Sequence, residues 1–145
     1  MLKIRDLLPE EAGRVCDFKE ESNKTNFPGC SFNREMYERI LRRAMEKVPG
    51  CVKVAEADGE IAGFIWLRVM ESTLGVFGRI EDVYVDSRHR KRGIGRKLME
   101  TAESYFAGYG IGKIKLTVTK TNKAGISLYE SMGYETKRLR MEKDL

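Results

Sequence analysis

"RHRKRGIGRKLM", residues 88–99, places six basic side chains around two glycines and then becomes apolar. The whole chain has 145 residues and a net charge of +5, so the sequence outside this run is close to neutral. A helix N-terminus exposes unpaired N–H groups that favour anions, and Gly93 and Gly95 would let a ligand approach the main chain. The stretch therefore predicts a diphosphate-binding loop. The alternative is a flexible turn followed by an exposed basic helix start.

The sequence on either side of this loop predicts a strand before it and a helix after it. "RIEDVYV", residues 79–85, is typical of a strand, and apolar residues recur at helical spacing across residues 93–109. Two better-known phosphate-binding motifs do not match. No Walker A string occurs, and Leu98 stands where the dinucleotide fingerprint has its third glycine.

The N-terminal half of the chain predicts one strand, two helices and a hairpin. "LKIRDL" indicates the strand, and a helix is expected from Pro9 to about Asn23. Asn33 is predicted to cap a second helix, which ends at a Pro-Gly pair. Two strand-like runs on either side of Asp58-Gly59 predict the hairpin.

The remaining elements complete an alternating pattern. "KIKLTVT", residues 113–119, predicts a strand, and a short helix from Asn122 to about Met132 precedes a final strand. The order β-α-α-β-β-β-α-β-α-β predicts an α/β fold with a mixed, mostly antiparallel central sheet flanked by helices. Since no repeat or linker interrupts the pattern, residues 1–145 are expected to form a single domain.

Composition excludes several classes of protein. Hydrophobic residues make up 41% of the chain and charged residues 34%, which is typical of a globular protein. The three cysteines, Cys16, Cys30 and Cys51, form no C-x-x-C pair, so neither a disulfide framework nor a zinc site is expected. The single histidine, His89, is interpreted as a solvated loop residue and excludes a His-rich metal site. No metal is therefore predicted.

The same composition predicts a soluble cytoplasmic protein. Acidic residues stand where a signal peptide needs an apolar core, and "IAGFIWL" is too short to span a bilayer. The cysteine usage fits a reducing compartment. Nucleic-acid binding is also disfavoured, because the basic run is compact and not a broad basic surface with interspersed aromatics.

The loop and its flanks together resemble one known family. "RKRGIG", residues 90–95, matches the signature R/Q-x-x-G-x-G/A, and "TNKAGISLYESMGY", residues 121–134, matches the segment that follows it at the expected distance. On these motifs the chain resembles the GCN5-related N-acetyltransferase (GNAT) family over about residues 78–135. The resemblance implies a splayed strand pair that forms an acyl-CoA cleft, with acetyl-CoA as cosubstrate.

The resemblance also implies which residues hold acetyl-CoA. Main-chain N–H groups of the signature would bind the pyrophosphate, namely those of Lys91, Arg92, Gly93, Ile94, Gly95 and Arg96. The backbone of the preceding strand would pair with the pantetheine arm, at Val83, Tyr84 and Val85. Asn122 matches an asparagine that contacts the cofactor, and Tyr129 matches a tyrosine near its sulfur. Asn122 and Tyr129 are seven residues apart, about two helical turns, so both are expected to face one cleft.

Acetyl transfer to an amine needs a base, because alkyl amines have pKa values of about 10. Some members of this family place the basic glutamate at a position that is occupied by Thr117 here. Others place it in the strand before the signature, at the position that matches Glu81. Strand alternation predicts that Glu81 shares a face with Val83 while Asp82 takes the opposite face. The alternative is that Glu81 is a surface carboxylate paired with an arginine, Arg79 or Arg88.

Tyr129 is the predicted proton donor to the departing thiolate, and a backbone N–H near Val83 is expected to stabilise the carbonyl oxygen. The alternative for Tyr129 is an amphipathic aromatic that only packs. Together these residues predict an N-acetyltransferase acting on a primary amine. The acidic pair Glu81 and Asp82 favours a cationic, polyamine-like acceptor.

Other functions remain open from the sequence. The acceptor could instead be a protein N-terminus or a lysine, and a non-catalytic CoA-binding module of the same fold is a further alternative. The acceptor is expected to be shaped by "TNFPGCSFN", residues 25–33, and "MESTLGVFG", residues 70–78. The sequence leaves the oligomeric state open and is compatible with a homodimer.

Overall fold

A five-stranded mixed sheet organises the molecule, with the strands in the order β1-β2-β3-β4-β5. The computed structural model describes residues 1–145. The strands are β1 (Leu2–Asp6), β2 (Val52–Ala57), β3 (Glu60–Ser72), β4 (Gly75–Val85) and β5 (Ile114–Leu116). The helices are α1 (Ala12–Asn26), α2 (Arg34–Lys47), α3 (Ile94–Gly108) and α4 (Lys123–Ser131), with short 3-10 turns at Pro9–Glu11 and Ser87–His89.

Strand pairing confirms the predicted fold class. The first four strands pair antiparallel with their neighbours, and only β5 runs parallel to β4. β3 and β4 form the longest pair, from Gly63 with Val85 to Ser72 with Gly75. β4 and β5 pair over only three residues each, so the sheet is open on this side.

Two hydrophobic clusters cover the two faces of the sheet. One joins α1 and α2 to β2 and β3, and it includes the predicted core residue Trp66 together with Phe18 and Leu41. The other joins α3 to β3 and β4 around Ile65, Leu98 and Phe106. The sheet is therefore a middle layer between two helical layers, as expected when both faces must bury apolar side chains.

Several local predictions are confirmed because short-range chemistry determines them. The Asn33 side chain caps α2 by accepting a hydrogen bond from the Met36 N–H at 2.9 Å. The β2–β3 hairpin turns at Asp58 and Gly59, whose φ angles are +55° and +81°. Two successive positive φ angles are the requirement of a tight type I′ turn, and Asp-Gly satisfies it well.

The prediction of a final strand is wrong. The last helix is followed instead by exposed chain without regular structure. Residues 134–145 form no strand or helix, and Leu139 and Met141 are 86% and 91% exposed. After Tyr134, which packs against the α3 cluster, the segment has only these two apolar side chains among closely spaced charges before its last residue, so it buries little on any face. β5 is also shorter than predicted. None of the helices has both the length and the apolar character that a membrane span requires.

Candidate active site

A gap opens where β4 and β5 separate. Their last pair is Ile80 with Leu116, and β4 then continues to Val85 with β3 on one side and no strand on the other. The backbone on this side of β4 has no strand partner beyond Ile80. An extended ligand can use such an edge in the way that an added strand would.

Hydrogen bonding to β3 determines which backbone groups face the gap. The Asp86 N–H donates to the Ala62 carbonyl at 2.8 Å. Because the direction of N–H and C=O groups alternates along an antiparallel strand, Tyr84 points its backbone groups toward β3 while Val83 and Val85 point theirs toward the gap. The Val85 carbonyl accepts a hydrogen bond from Arg90 Nε at 3.1 Å. Val83 keeps both its N–H and its carbonyl available.

The side chains of these three residues lie on the two faces of the sheet. Val83 and Val85 pack against the α3 cluster. The Tyr84 ring packs on Phe18 with centroids 5.3 Å apart, and the Arg90 guanidinium lies 5.4 Å from the Tyr84 centroid. These three residues therefore line the gap with main-chain atoms, while their side chains pack on the two faces of the sheet.

The basic loop presents a series of free backbone donors. The N–H groups of residues 91–96 donate to no backbone or side-chain acceptor in the protein. Lys91 and Gly93 have φ angles of +63° and +78°, and α3 begins directly after Gly93. Successive N–H groups with alternating backbone handedness at a helix start form a concave site that suits an anion.

The two glycines of the loop have different roles. A Cβ added to Gly93 would meet no atom within 4 Å, but its positive φ disfavours any other residue. A Cβ on Gly95 would lie 3.2 Å from Leu128 Cδ2 of α4 and 3.8 Å from Val85 Cγ2. A side chain at Gly95 would therefore press on Leu128, so this glycine also favours the packing of α3 against α4. The sequence had predicted a purely ligand-facing role for it.

Asp86 anchors the segment that leads into the loop. This buried carboxylate accepts hydrogen bonds from the Arg88 side chain at 2.9 Å and from Arg14 at 3.3 Å. Burial opposes the charged form of Asp86, but the hydrogen bonds and charge of Arg88 outweigh it and hold the pKa below its usual range. His89, predicted to be solvated, is instead buried, with Nε2 3.2 Å from Glu60 Oε1.

A β-bulge at Glu81 changes the expected alternation of β4. Ile80 pairs with Leu67 and Asp82 pairs with Trp66, so Glu81 is an extra residue. Ile80 packs in the α3 cluster, whereas Asp82 contacts Lys19 of α1 and so lies on the opposite face. Residues two apart would share a face in a regular strand, and the extra residue breaks that rule.

The bulge corrects two predictions about the carboxylates. Glu81 Oε2 lies 3.7 Å from Arg68 Nη1, on the face of Asp82 and not on that of Val83. Asp82 accepts hydrogen bonds from Lys19 Nζ at 2.6 Å and from the Tyr37 hydroxyl at 2.7 Å. The arginine partner of Glu81 is therefore neither of the two that the sequence suggested. Since both carboxylates have a cation beside them, they do not form the expected acidic mouth.

Tyr37 lies in the most desolvated part of this cluster. Burial, and then the adjacent charge of Asp82, raise its pKa far above the usual range. Its phenol is therefore neutral and a fixed hydrogen-bond donor. Lys19, Tyr37 and Arg68 were missed by the sequence analysis because they come from α1, α2 and β3. No local motif marks them, and only the sheet brings them to β4.

The two predicted residues of α4 occupy different environments. Asn122 is the N-cap of the helix, where its Oδ1 accepts a hydrogen bond from the Gly125 N–H at 3.0 Å. The Asn122 carbonyl also accepts a hydrogen bond from the Ile126 N–H at 3.0 Å, so Asn122 takes part in the first turn of the helix that carries Tyr129. Tyr129 is partly buried against the α3 cluster, and this desolvation raises its pKa. Its hydroxyl makes no hydrogen bond with the protein and is not enclosed.

Comparisons with known proteins identify the family and the fold. The family model described as "Acetyltransferase (GNAT) family" matches residues 16–134. A mycothiol acetyltransferase of Thermobispora bispora is 34% identical over 102 residues, which are 67% of this chain and 35% of that protein. A streptothricin acetyltransferase of Streptomyces lavendulae is 40% identical over 78 residues, covering 54% of this chain and 40% of that protein.

Among solved structures, a GCN5-related N-acetyltransferase of Ralstonia eutropha superposes with a TM-score of 0.83 at 27% identity. The superposition covers 100% of this chain and 99% of that one. The chain thus matches this structure along its full length, whereas it spans only about a third of the curated mycothiol acetyltransferase, 35%.

Proposed function

The chain belongs to the acetyltransferase (GNAT) family, and we propose that it is an acetyl-CoA-dependent N-acetyltransferase that acts on a primary amine. The observation that carries this proposal is the continuity of two sets of free backbone groups. The unpaired donors of residues 91–96 follow the open edge of β4 after the short turn at Ser87–His89, and Arg90 Nε donates back to the Val85 carbonyl at 3.1 Å and so holds the loop beside this edge. Together they would form one path for a ligand that has a diphosphate at one end and an amide-containing chain at the other.

The proposed binding mode gives each residue a specific contact. The N–H groups of Lys91, Arg92, Gly93, Ile94, Gly95 and Arg96 would hold the pyrophosphate of acetyl-CoA. The backbone of Val83 and Val85 would pair with the pantetheine arm, and Tyr84 would keep this edge in register through β3. Asn122 has its amide nitrogen free for a contact with the ligand, because only its oxygen is used as the helix cap.

Acetyl-CoA supplies an activated acetyl thioester at the gap, and three groups of the protein would act on the reaction there. Glu81 would remove a proton from the attacking amine, directly or through one water molecule. The Val83 N–H would donate a hydrogen bond to the thioester oxygen as negative charge develops on it. Tyr129 would donate its phenolic proton to the thiolate that leaves. A phenol keeps its proton at neutral pH, and burial raises the pKa of Tyr129 further, so the group is protonated there although it is a weaker acid than an exposed tyrosine.

A pair of matched glycine variants tests the binding site. Gly93 and Gly110 both have positive φ angles, +78° and +72°, and neither has an atom within 4 Å of an added Cβ. Gly93→Val and Gly110→Val should therefore suffer similar backbone strain. Gly110 follows the far end of α3, so only Gly93→Val should block the approach of a diphosphate to the loop. Gly95 is less suitable, because a side chain there would strike Leu128.

Isothermal titration calorimetry with acetyl-CoA is the measurement. We expect Gly93→Val to weaken acetyl-CoA binding by at least about tenfold, which corresponds to about 1.4 kcal/mol, while Gly110→Val binds as the wild type does. Equal affinities in the two folded variants would contradict the proposed loop site. Release of free CoA thiol from acetyl-CoA in the presence of primary amines then tests the transfer reaction itself.

A further inference from the structure

Three cations form a row across three neighbouring strands at the point where β4 and β5 separate. Arg68 of β3 is the partner of Arg79 in β4, and Arg79 is the partner of Lys115 in β5. Direct partners on adjacent strands project from the same face, and the strands are about 4.8 Å apart. The row lies one residue before Ile80 and Leu116, the last pair of the two strands.

This cation row, Arg68, Arg79 and Lys115, lies on the same face as the two carboxylates. Ile80 and Leu116 pack with the α3 cluster, so the residues before them in each strand project from the opposite face. Arg68 lies on this face as well, because Trp66, two residues earlier in β3, packs in the cluster of α1 and α2. The row therefore borders the proposed position of the attacking amine.

The protein supplies too few anions for this row. Glu81 is the only carboxylate within 4.0 Å of any of the three cations. The Lys115 ammonium lies 4.1 Å from the centroid of the Phe77 ring and has no carboxylate partner. Asp82 does not compensate, since Lys19 already lies 2.6 Å from it. Like charges directly opposite each other on a sheet destabilise the pair, so an external anion would be favoured here.

We propose that the amine acceptor also carries an oxyanion, a carboxylate or a phosphate, which binds to the cation row while the amine lies at Glu81. This inference rests on the proposed acetyltransferase function. Arginine binds both kinds of oxyanion with two parallel hydrogen bonds, which fixes orientation as well as charge. Arg79 and Glu81 are two residues apart along β4, about 7 Å, so a compact amine with a nearby oxyanion spans them.

The test uses acceptors that differ only in the oxyanion. A panel of amino acids is compared with the corresponding amino acid amides, and amino sugar phosphates with the free amino sugars. CoA release gives kcat and KM for each member of each pair. We expect kcat/KM to be at least about tenfold higher for the anionic member of the pair that fits best, as a charge-assisted hydrogen bond allows. The two sets of pairs distinguish a carboxylate from a phosphate.

Arg79→Gln is the decisive variant, because Arg79 has no ion pair and its loss leaves the Arg68–Glu81 contact in place. It should raise KM for the anionic acceptor about tenfold or more and leave kcat and the neutral acceptor unchanged. Arg43→Gln on α2 is the matched control. Arg43 is exposed and forms no ion pair, so this variant should behave as the wild type.

The outcomes separate this inference from the function on which it rests. Equal kcat/KM for the two members of every pair, or acetylation of neutral and cationic amines alone, would overturn the oxyanion site and leave the acetyltransferase function intact. An equal effect of Arg79→Gln on anionic and neutral acceptors would do the same. Failure of the wild type to bind acetyl-CoA in calorimetry would overturn both proposals together.

Discussion

The hydroxyl of Tyr37 donates a hydrogen bond to Asp82 Oδ2 at 2.7 Å and thereby joins α2 to the strand that borders the candidate active site. A hydrogen bond to a charged group contributes about 1.5–3 kcal/mol. Tyr37→Phe should therefore lower the free energy of unfolding by about 2 kcal/mol, measured by urea denaturation. In a double-mutant cycle with Asp82→Asn, the two losses should be clearly non-additive. Additive losses would mean that the contact contributes little.

Glu81→Gln tests the proposed base. The change keeps the shape of the side chain but removes its ability to accept a proton, so kcat should fall by roughly 10²–10⁴. Part of the loss should return at high pH, where more of the amine is already deprotonated. Glu46→Gln is the control, because Glu46 is an exposed residue of α2 without an ion pair. A decrease below about threefold without recovery at high pH would assign proton removal to another group.

Tyr129→Phe tests the proposed acid. Thiols have a pKa of about 8.5, so the thiolate is already a fair leaving group, and we expect kcat to fall by only about 10- to 100-fold. The affinity for acetyl-CoA should not change. Because desolvation raises the pKa of Tyr129, the wild type should lose this contribution only above about pH 10. Tyr109→Phe, at the exposed far end of α3, is the control, and an equal kcat in both variants would leave Tyr129 with packing alone.

The lowered pKa of Asp86 leads us to expect that the stability of the protein depends on pH. Its pKa lies below its usual range, so the folded protein binds this proton less readily than the unfolded chain does. The contribution is therefore complete above about pH 4, the pKa of an unfolded Asp, and decreases as the pH falls through the lower folded value. The difference in unfolding free energy between wild type and Asp86→Asn should be larger at pH 7 than at pH 3. A difference that does not change with pH would show that the Asp86 charge contributes nothing.

The features that the sequence predicted well depend on contacts between near neighbours. The Asp58-Gly59 turn, the Asn33 cap and the start of α3 after Gly93 each involve residues within three positions of one another. Turn and cap chemistry is specific at this range, so a single sequence is sufficient. The loop could be located for the same reason.

The features that the sequence missed depend on strand pairing. The bulge at Glu81 exists only relative to Trp66 and Leu67 of the neighbouring strand, and nothing in "RIEDVYV" marks it. Asp82 takes its partners from 63 and 45 residues away, Lys19 and Tyr37. One extra residue changes the face of the sheet from which every preceding side chain projects. For this reason Glu81 and Asp82 do not form the acidic mouth that the sequence predicted.

The part of β4 that follows the bulge fixes the distance between the proposed transfer site and the diphosphate loop. The last residue of the strand, Val85, lies four positions after Glu81, a length of about 13 Å at about 3.3 Å per residue. One end of this length lies at the proposed transfer site and the other leads to the diphosphate loop. Removing one residue from this segment would shorten it by about 3.3 Å. The N–H groups on one side of the deletion would then point to the opposite edge of the strand. Substitutions in this segment should therefore be tolerated far better than insertions or deletions.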